Sequence, residues 1–186
     1  MTRAKLTTLL AAGALALAGC SSVKTNVDTG PIKASTFSFI NTGSKPAPAP
    51  ANNVAAVHAL VQDDITRTLA GKGLSKLPTG GDVTVGYLII AGNNVSTTAL
   101  GEYFGYSSDT DALADKVHTA QTIKSGRRDY FEAGTLVIDL IDPKTNTLLW
   151  RSSMQRDILR NLTPEVRAAR VQEVVDSCLS GLRVEH

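Results

Sequence analysis

The chain has 186 residues, 42% of them hydrophobic and 19% charged, which is the balance of one globular domain large enough to bury a real core. Its formal charge of +2 lies at the start: Arg3 and Lys5 supply the whole excess of 19 basic over 17 acidic residues, so everything after residue 19 is neutral. A neutral body lacks the clustered cationic surface that counterion release requires, which excludes nucleic acid as a partner.

In chain order, Met1 to Lys5 is basic, and Leu6 to Leu17 is an apolar run of Leu, Ala, Thr and Gly, with small residues before Cys20. These are the three regions of an export signal. The run is about a dozen residues, short of the roughly 20 needed to span a bilayer, so residues 1–19 read as a signal peptide rather than a permanent anchor. The ending Leu17-Ala18-Gly19-Cys20 resembles the lipobox of bacterial lipoproteins. That resemblance implies cleavage before Cys20, a diacylglyceryl thioether on its sulfur and acylation of the new amino terminus. It makes Cys20 the lipidation site and leaves Cys178 unpaired, so no disulfide is expected. Ser21 is not the aspartate associated with inner-membrane retention, which favours the outer membrane, with the domain facing the periplasm. Residues 20–33 read as the lipidated N-terminus and a flexible linker, since they show no sustained period and carry Gly30-Pro31.

A single domain over residues 34–183 follows. Ser35 to Ile40 alternates around Phe37 and Phe39 and predicts a strand. Lys45 to Pro50 repeats proline and reads as a stiff extended spacer. Asn52 or Asn53 then caps a helix to about Leu69, with Val54, Val57, Val61, Ile65 and Leu69 at spacings of three and four, and Gly71 or Gly73 as its left-handed stop. Asp63, Asp64 and Arg67 fall on its other faces. Asp82 to Ala91 predicts a second strand, and the strand-helix-strand order suggests a crossover with the helix on the sheet. Residues 92–133 give the weakest signal. Asn93 to Gly105 is loop-like but carries Tyr103, Phe104 and Tyr106, while Asp109 to Lys124 fits a short helical turn followed by a strand.

Gly134 to Ile141 and Thr147 to Arg151 form a hairpin around Asp142-Pro143-Lys144-Thr145-Asn146, with Asn146 suited to the left-handed position. A regular ladder from the Asp142–Thr147 pair sets Leu140 opposite Leu149 and Asp139 opposite Trp150. Leu136, Ile138, Leu140 and Leu149 then share one face, and Val137, Ile141, Leu148 and Trp150 surround Asp139 on the other. Thr163 caps a last helix with Pro164 at its first position, burying Val171, Val174, Val175, Cys178 and Leu182.

Gly134–Arg151, the helix ending Leu69-Ala70-Gly71-Lys72-Gly73-Leu74, the strand opening Asp82-Val83-Thr84-Val85 and the strand Thr36-Phe37-Ser38-Phe39 resemble the domain-of-unknown-function (DUF) 4136 lipoprotein family. The resemblance covers most of residues 34–182 and implies a small α+β domain in the bacterial envelope. It supplies no catalytic residues.

The expected fold is α+β: a mixed, largely antiparallel sheet of four to five strands with two helices packed on one face. No His-Glu-x-x-His, Gly-x-Ser-x-Gly or Cys-x-x-Cys occurs, and His58, His118 and His186 have no second ligand at metal spacing. No catalytic residue, metal or cofactor is therefore expected. Asp139 interrupts an apolar face and needs a wet edge or a compensating group. With Trp150 and the aromatics Tyr103, Phe104 and Tyr106, it makes up the candidate contact set for a ligand or partner. The sequence points to a non-enzymatic lipoprotein with an accessory or structural interaction role, its partners being the membrane and an unidentified envelope protein, lipid or glycan. A binding module for a lipid or other apolar ligand is the alternative, with the aromatics as a lid over the second sheet face.

Overall fold

The computed structural model describes residues 25–40, 54–100, 109–126 and 130–186. The expected signal peptide, Cys20, the expected proline spacer, the cap candidates Asn52 and Asn53, and Tyr103, Phe104 and Tyr106 lie outside them.

Two long hydrophobic strands, β5 (Val83–Asn93) and β7 (Glu132–Asp142), pair antiparallel over their whole length and form the centre of the sheet. Strand β8 (Thr147–Asp157) returns along β7 through the Asp142–Thr147 turn. On the other edge of β5, β3 (Thr36–Phe39) runs parallel to Val83–Val85, and β6 (Thr97–Ala99) folds back antiparallel on Ile90–Gly92. β4 (Ser75–Lys76) extends β3, and β1 (Val27–Asp28) lies antiparallel on β8. The sheet therefore has seven strands in the order β1-β8-β7-β5-β3-β4, with β6 beside β5. A separate parallel pair joins β2 (Ile32–Lys33) to β9 (Val184–Glu185).

The structure corrects the expected linker. Residues 27–33 belong to the fold, because the edge of β8 offers unpaired backbone groups that β1 satisfies. Strands of two or three residues carry no readable period, so the expected four or five strands become seven.

Helices α1 (Val54–Gly71) and α3 (Pro164–Leu179) pack together on one face. Val61, Ile65 and Leu69 of α1 and Val175, Cys178 and Leu179 of α3 meet Val83, Val85, Ile138 and Leu140 of the sheet. The caps are as the sequence predicts. Thr163 accepts the Val166 amide ahead of Pro164, and Gly73 adopts φ +90° where the chain leaves α1.

A third helix, α2 (Thr110–Ser125), covers the opposite face, where only a helical turn and a strand were expected. Asp109 accepts the Ala112 amide at 2.9 Å as its N-cap, and Gly126 closes it in the left-handed conformation at φ 67°. Its Leu113, Ala114 and Val117 bury Leu88, Ile90 and Val137. The two expected helices on one face become three helices on two faces, because both faces of β5 and β7 are apolar and both need cover.

Candidate functional site

The second sheet face carries a buried ion pair. Asp139 is 0% exposed, and Arg151 across the hairpin is also buried. Arg151 Nε donates to Asp139 Oδ1 at 2.7 Å and Nη2 donates to Oδ2 at 2.5 Å, a bidentate fork. Arg151 faces Asp139 because of a β-bulge. Asp142 pairs with Thr147 and Ile141 with Leu148, but Leu140 pairs with Trp150, so Leu149 is an extra residue. The Leu149 carbonyl is not orphaned: it accepts the Thr29 amide at 3.2 Å and the Thr29 hydroxyl at 3.0 Å.

The bulge corrects the expected ladder. Trp150 belongs to the core under α1 and α3, on the face of Leu140, and not beside Asp139. Its indole Nε1 has no hydrogen-bond partner among the described residues. Asp139 and Trp150 thus lie on opposite faces of the sheet and form no common contact surface. The compensating group that Asp139 required is Arg151, which sequence reasoning missed by assuming a regular ladder. The signal was there: a carboxylate on an apolar face, and an arginine one position beyond its predicted partner.

Two histidines, one on each side of the sheet, are held by hydrogen bonds at both ring nitrogens. His118, buried on α2, stacks on Phe131 and sits over Gly92, where a Cβ would lie 2.8 Å from its ring. Its Nε2 meets the Asn93 carbonyl at 3.0 Å; that oxygen can only accept, so the proton is on Nε2. Nδ1 then accepts from Gln155 Nε2 at 3.2 Å or the Thr135 hydroxyl at 3.4 Å. His58 repeats the arrangement on α1. Nε2 donates to the Leu100 carbonyl at 3.0 Å and Nδ1 accepts from the Tyr87 hydroxyl at 3.0 Å, while Gln62 donates to the same hydroxyl at 3.0 Å. Burial pushes the Tyr87 phenol above its ordinary value. Both rings are therefore fixed by a backbone carbonyl on one side and a side chain on the other.

Other titratable groups are also engaged. Asp82 Oδ2 accepts the Ser35 and Thr36 amides at 3.0 Å each and the Thr36 hydroxyl at 2.9 Å, tying β3 to the start of β5. These bonds, the Ser35 amide foremost, hold its carboxyl below the usual range. Asp64, expected on an outer face of α1, is buried; burial raises its carboxyl although Arg67 pairs with Oδ1, and Oδ2 has no partner among the described residues. Cys178 donates weakly to the Leu136 carbonyl at 3.8 Å, and burial pushes its thiol up to about 12.

Among the described residues, no three His, Cys, Asp or Glu side chains are placed to hold a metal ion. An open cleft of about 280 Å³ near the hairpin turn is lined by Thr29, Lys33, Asp82, Asp142 and Lys144, among others. Asp82 is spent there on β3, and Asp142 on the Lys144 and Thr145 amides at 2.8 and 3.4 Å. A second cleft, of about 430 Å³, lies between the end of β8 and α3.

A seven-stranded mixed sheet with helices on both faces and a buried ion pair defines a small α+β domain. The chain belongs to the family described as Domain of unknown function (DUF4136), which it matches over residues 22–182. No curated protein matches the sequence. Among solved structures, it is similar to a PelC dodecamer from Paraburkholderia phytofirmans, at 9% identity over 87% of this chain and 96% of that one, with a TM-score of 0.45. A point variant of the same protein gives 11% identity, the same coverage and a TM-score of 0.46. A PDZ domain protein from Parabacteroides distasonis gives 14% identity over 77% of this chain and a TM-score of 0.41; the match spans 32% of that longer chain.

Proposed function

We propose that this protein is a non-enzymatic lipoprotein, held through Cys20 in the periplasmic leaflet of the outer membrane, with an accessory or structural interaction role in the envelope. The observation that carries the reading is the basic, apolar and small-residue sequence ending at Leu17-Ala18-Gly19-Cys20. A diacylglyceryl group with a further acyl chain supplies more than the two signals stable anchoring takes.

The non-enzymatic part is supported by how the reactive groups are used. Asp139 is neutralised by Arg151, buried His118 and half-buried His58 are hydrogen-bonded at both ring nitrogens, and the Cys178 thiol is pushed away from thiolate. The alternative, an apolar-ligand module, rests on the two-faced hairpin with Tyr103, Phe104 and Tyr106 as a lid; α2 packs on the second face over Leu88, Ile90 and Val137.

Labelled palmitate should enter the wild-type protein and not Cys20→Ala, and density fractionation should place the wild type with outer membrane. Label in the variant, or release of the wild type by gentle lysis, overturns the tether. Crosslinking in intact cells should recover an envelope partner; its absence removes the interaction role.

A further inference from the structure

Six large hydrophobic side chains are exposed among the described residues, and five of them lie at one end of the molecule. That end is defined by Asn93, Glu132 and Asp157, where β5 finishes, β7 begins and β8 finishes. Val95, 85% exposed, sits in the turn after β5, and Tyr130, 65% exposed, just ahead of β7. Ile158 and Leu159 follow β8, with the Ile158 amide on the Glu132 carbonyl at 2.9 Å. Val166 is in the first turn of α3, which starts at this end because Arg170 reaches the Asp157 carbonyl at 2.9 Å. At the opposite end, the β7–β8 turn is polar: Lys144, Thr145 and Asn146 are exposed.

The same end carries cations. From residue 156 to 170 there are four arginines, set among Asp157 and Glu165 of the same stretch and Glu132 and Glu173 from neighbouring elements. Arg160 is 76% exposed at its side chain, with Glu132 at 2.9 Å, and Arg156 pairs with Glu173. Arg170 gives its bond to a neutral carbonyl. An apolar set interleaved with guanidinium groups is the composition of a surface that enters the headgroup region of an anionic leaflet.

The chain direction selects the same end. β1 is antiparallel to β8, with Val27 opposite Arg151, so its N-terminal direction runs towards Asp157. From Arg151 to the end of β8 is about 20 Å at strand rise. From Val27 back to Cys20 is seven residues, at most about 25 Å of chain.

We propose that this end of the domain, presenting Val95, Tyr130, Ile158, Leu159 and Val166 with Arg156, Arg160 and Arg170, docks on the anionic leaflet that holds the Cys20 anchor. The proposal rests on the tethered-lipoprotein reading and goes beyond it by fixing the domain's orientation. The leaflet is the occupant because the tether is too short to hold this end far from the surface. Docking leaves the polar turn and the 280 Å³ cleft beside it facing the periplasm.

The lipidated full chain is reconstituted into vesicles of phosphatidylethanolamine and phosphatidylglycerol, with an environment-sensitive dye on Leu159→Cys or, as control, on Lys144→Cys. Cys178 is buried and Cys20 acylated, so labelling is site-directed. The dye at 159 should be quenched by nitroxide lipid at least threefold more than the dye at 144, and the difference should shrink in purely zwitterionic vesicles. Equal quenching at the two positions, with the protein still on the vesicles, overturns the docking and spares the tether. A blue-shifted dye at 159 that nitroxide lipid does not quench means a protein covers the patch, and overturns it too. Protein that washes off the vesicles shows instead that the tether itself has failed.

Discussion

Asp139 and Arg151 show what a buried charge needs. The fork between them offsets part of a desolvation cost of several kcal/mol per ion at the centre of the sheet. Asp139→Ala should lower stability by about 3–5 kcal/mol, because it removes the carboxylate to which the buried guanidinium makes its bidentate fork. Replacing both partners with leucine and methionine should recover most of that loss, as denaturant midpoints for the four members of a double-mutant cycle will show. Two other aspartates should split the pH dependence. The Asp82 carboxyl is held low by the Ser35 amide and then Thr36, so its stabilisation is complete above the ordinary aspartate value of about 4 and is lost as pH falls through its lower folded value. Asp64 has the opposite sign: burial raises it, so the folded state is penalised as pH rises through its folded value. Asp82→Asn should thus be less stable than wild type at pH 7, with the gap closing towards pH 3. Asp64→Asn should be more stable at pH 7, by about 1 kcal/mol, with that gain disappearing in acid. Urea midpoints at the two pH values test both signs.

The β7–β8 hairpin shows how one extra residue in an element decides which side chains meet. The bulge at Leu149 keeps Trp150 under α1 and α3 and turns Arg151 to Asp139. Deleting Leu149 removes the bulge and leaves both registers intact, so the variant should still unfold cooperatively, about 1–3 kcal/mol less stable for the lost packing. Deleting Ser152 leaves two poor choices. Either the bulge is abandoned, which sets Trp150 against Asp139 and drives Arg151 into the apolar layer, or every later residue of β8 changes face. That variant should lose cooperative unfolding by circular dichroism. The same bulge marks the limit of what the sequence reveals. The Asp142–Asn146 turn, with Asn146 at φ 53°, was legible because its chemistry is local. The α3 cap and the paired apolar faces were legible for the same reason. The bulge was not, since the carbonyl it frees at Leu149 is satisfied by donors on Thr29, 120 residues away. α2 was obscured because Leu113, Val117 and Ala120 compete with an alternating pattern over the same residues, although Asp109 and Gly126 were present as caps. Of the candidate site, the demand for a partner at Asp139 was visible, but the partner's identity needed the register.

At the scale of the whole molecule, the sheet has a polar end and an apolar end, and followed backwards from Val27 the direction of β1 leads towards the apolar one. In the arrangement proposed above, the lipid tether holds the chain to the leaflet and the patch adds a second contact that orients the domain. The second contact is intramolecular once Cys20 is inserted, and its effective concentration falls roughly as the −3/2 power of tether length or more steeply. Seven residues from Cys20 to Val27 keep it near the maximum, since that span matches the distance from β1 to the end of β8. Inserting about 21 flexible residues of glycine and serine between Ser22 and Thr25 makes the tether fourfold longer and should lower the effective concentration about eightfold. Stability measured by urea should not change, because β1 still finds β8. Lipid-nitroxide quenching of a dye at Leu159→Cys should fall towards that of the Lys144→Cys control, while the protein stays on the vesicles. Quenching at 159 that ignores the insertion would mean the patch binds without help from the tether, and the short span would then have no part in orienting the domain.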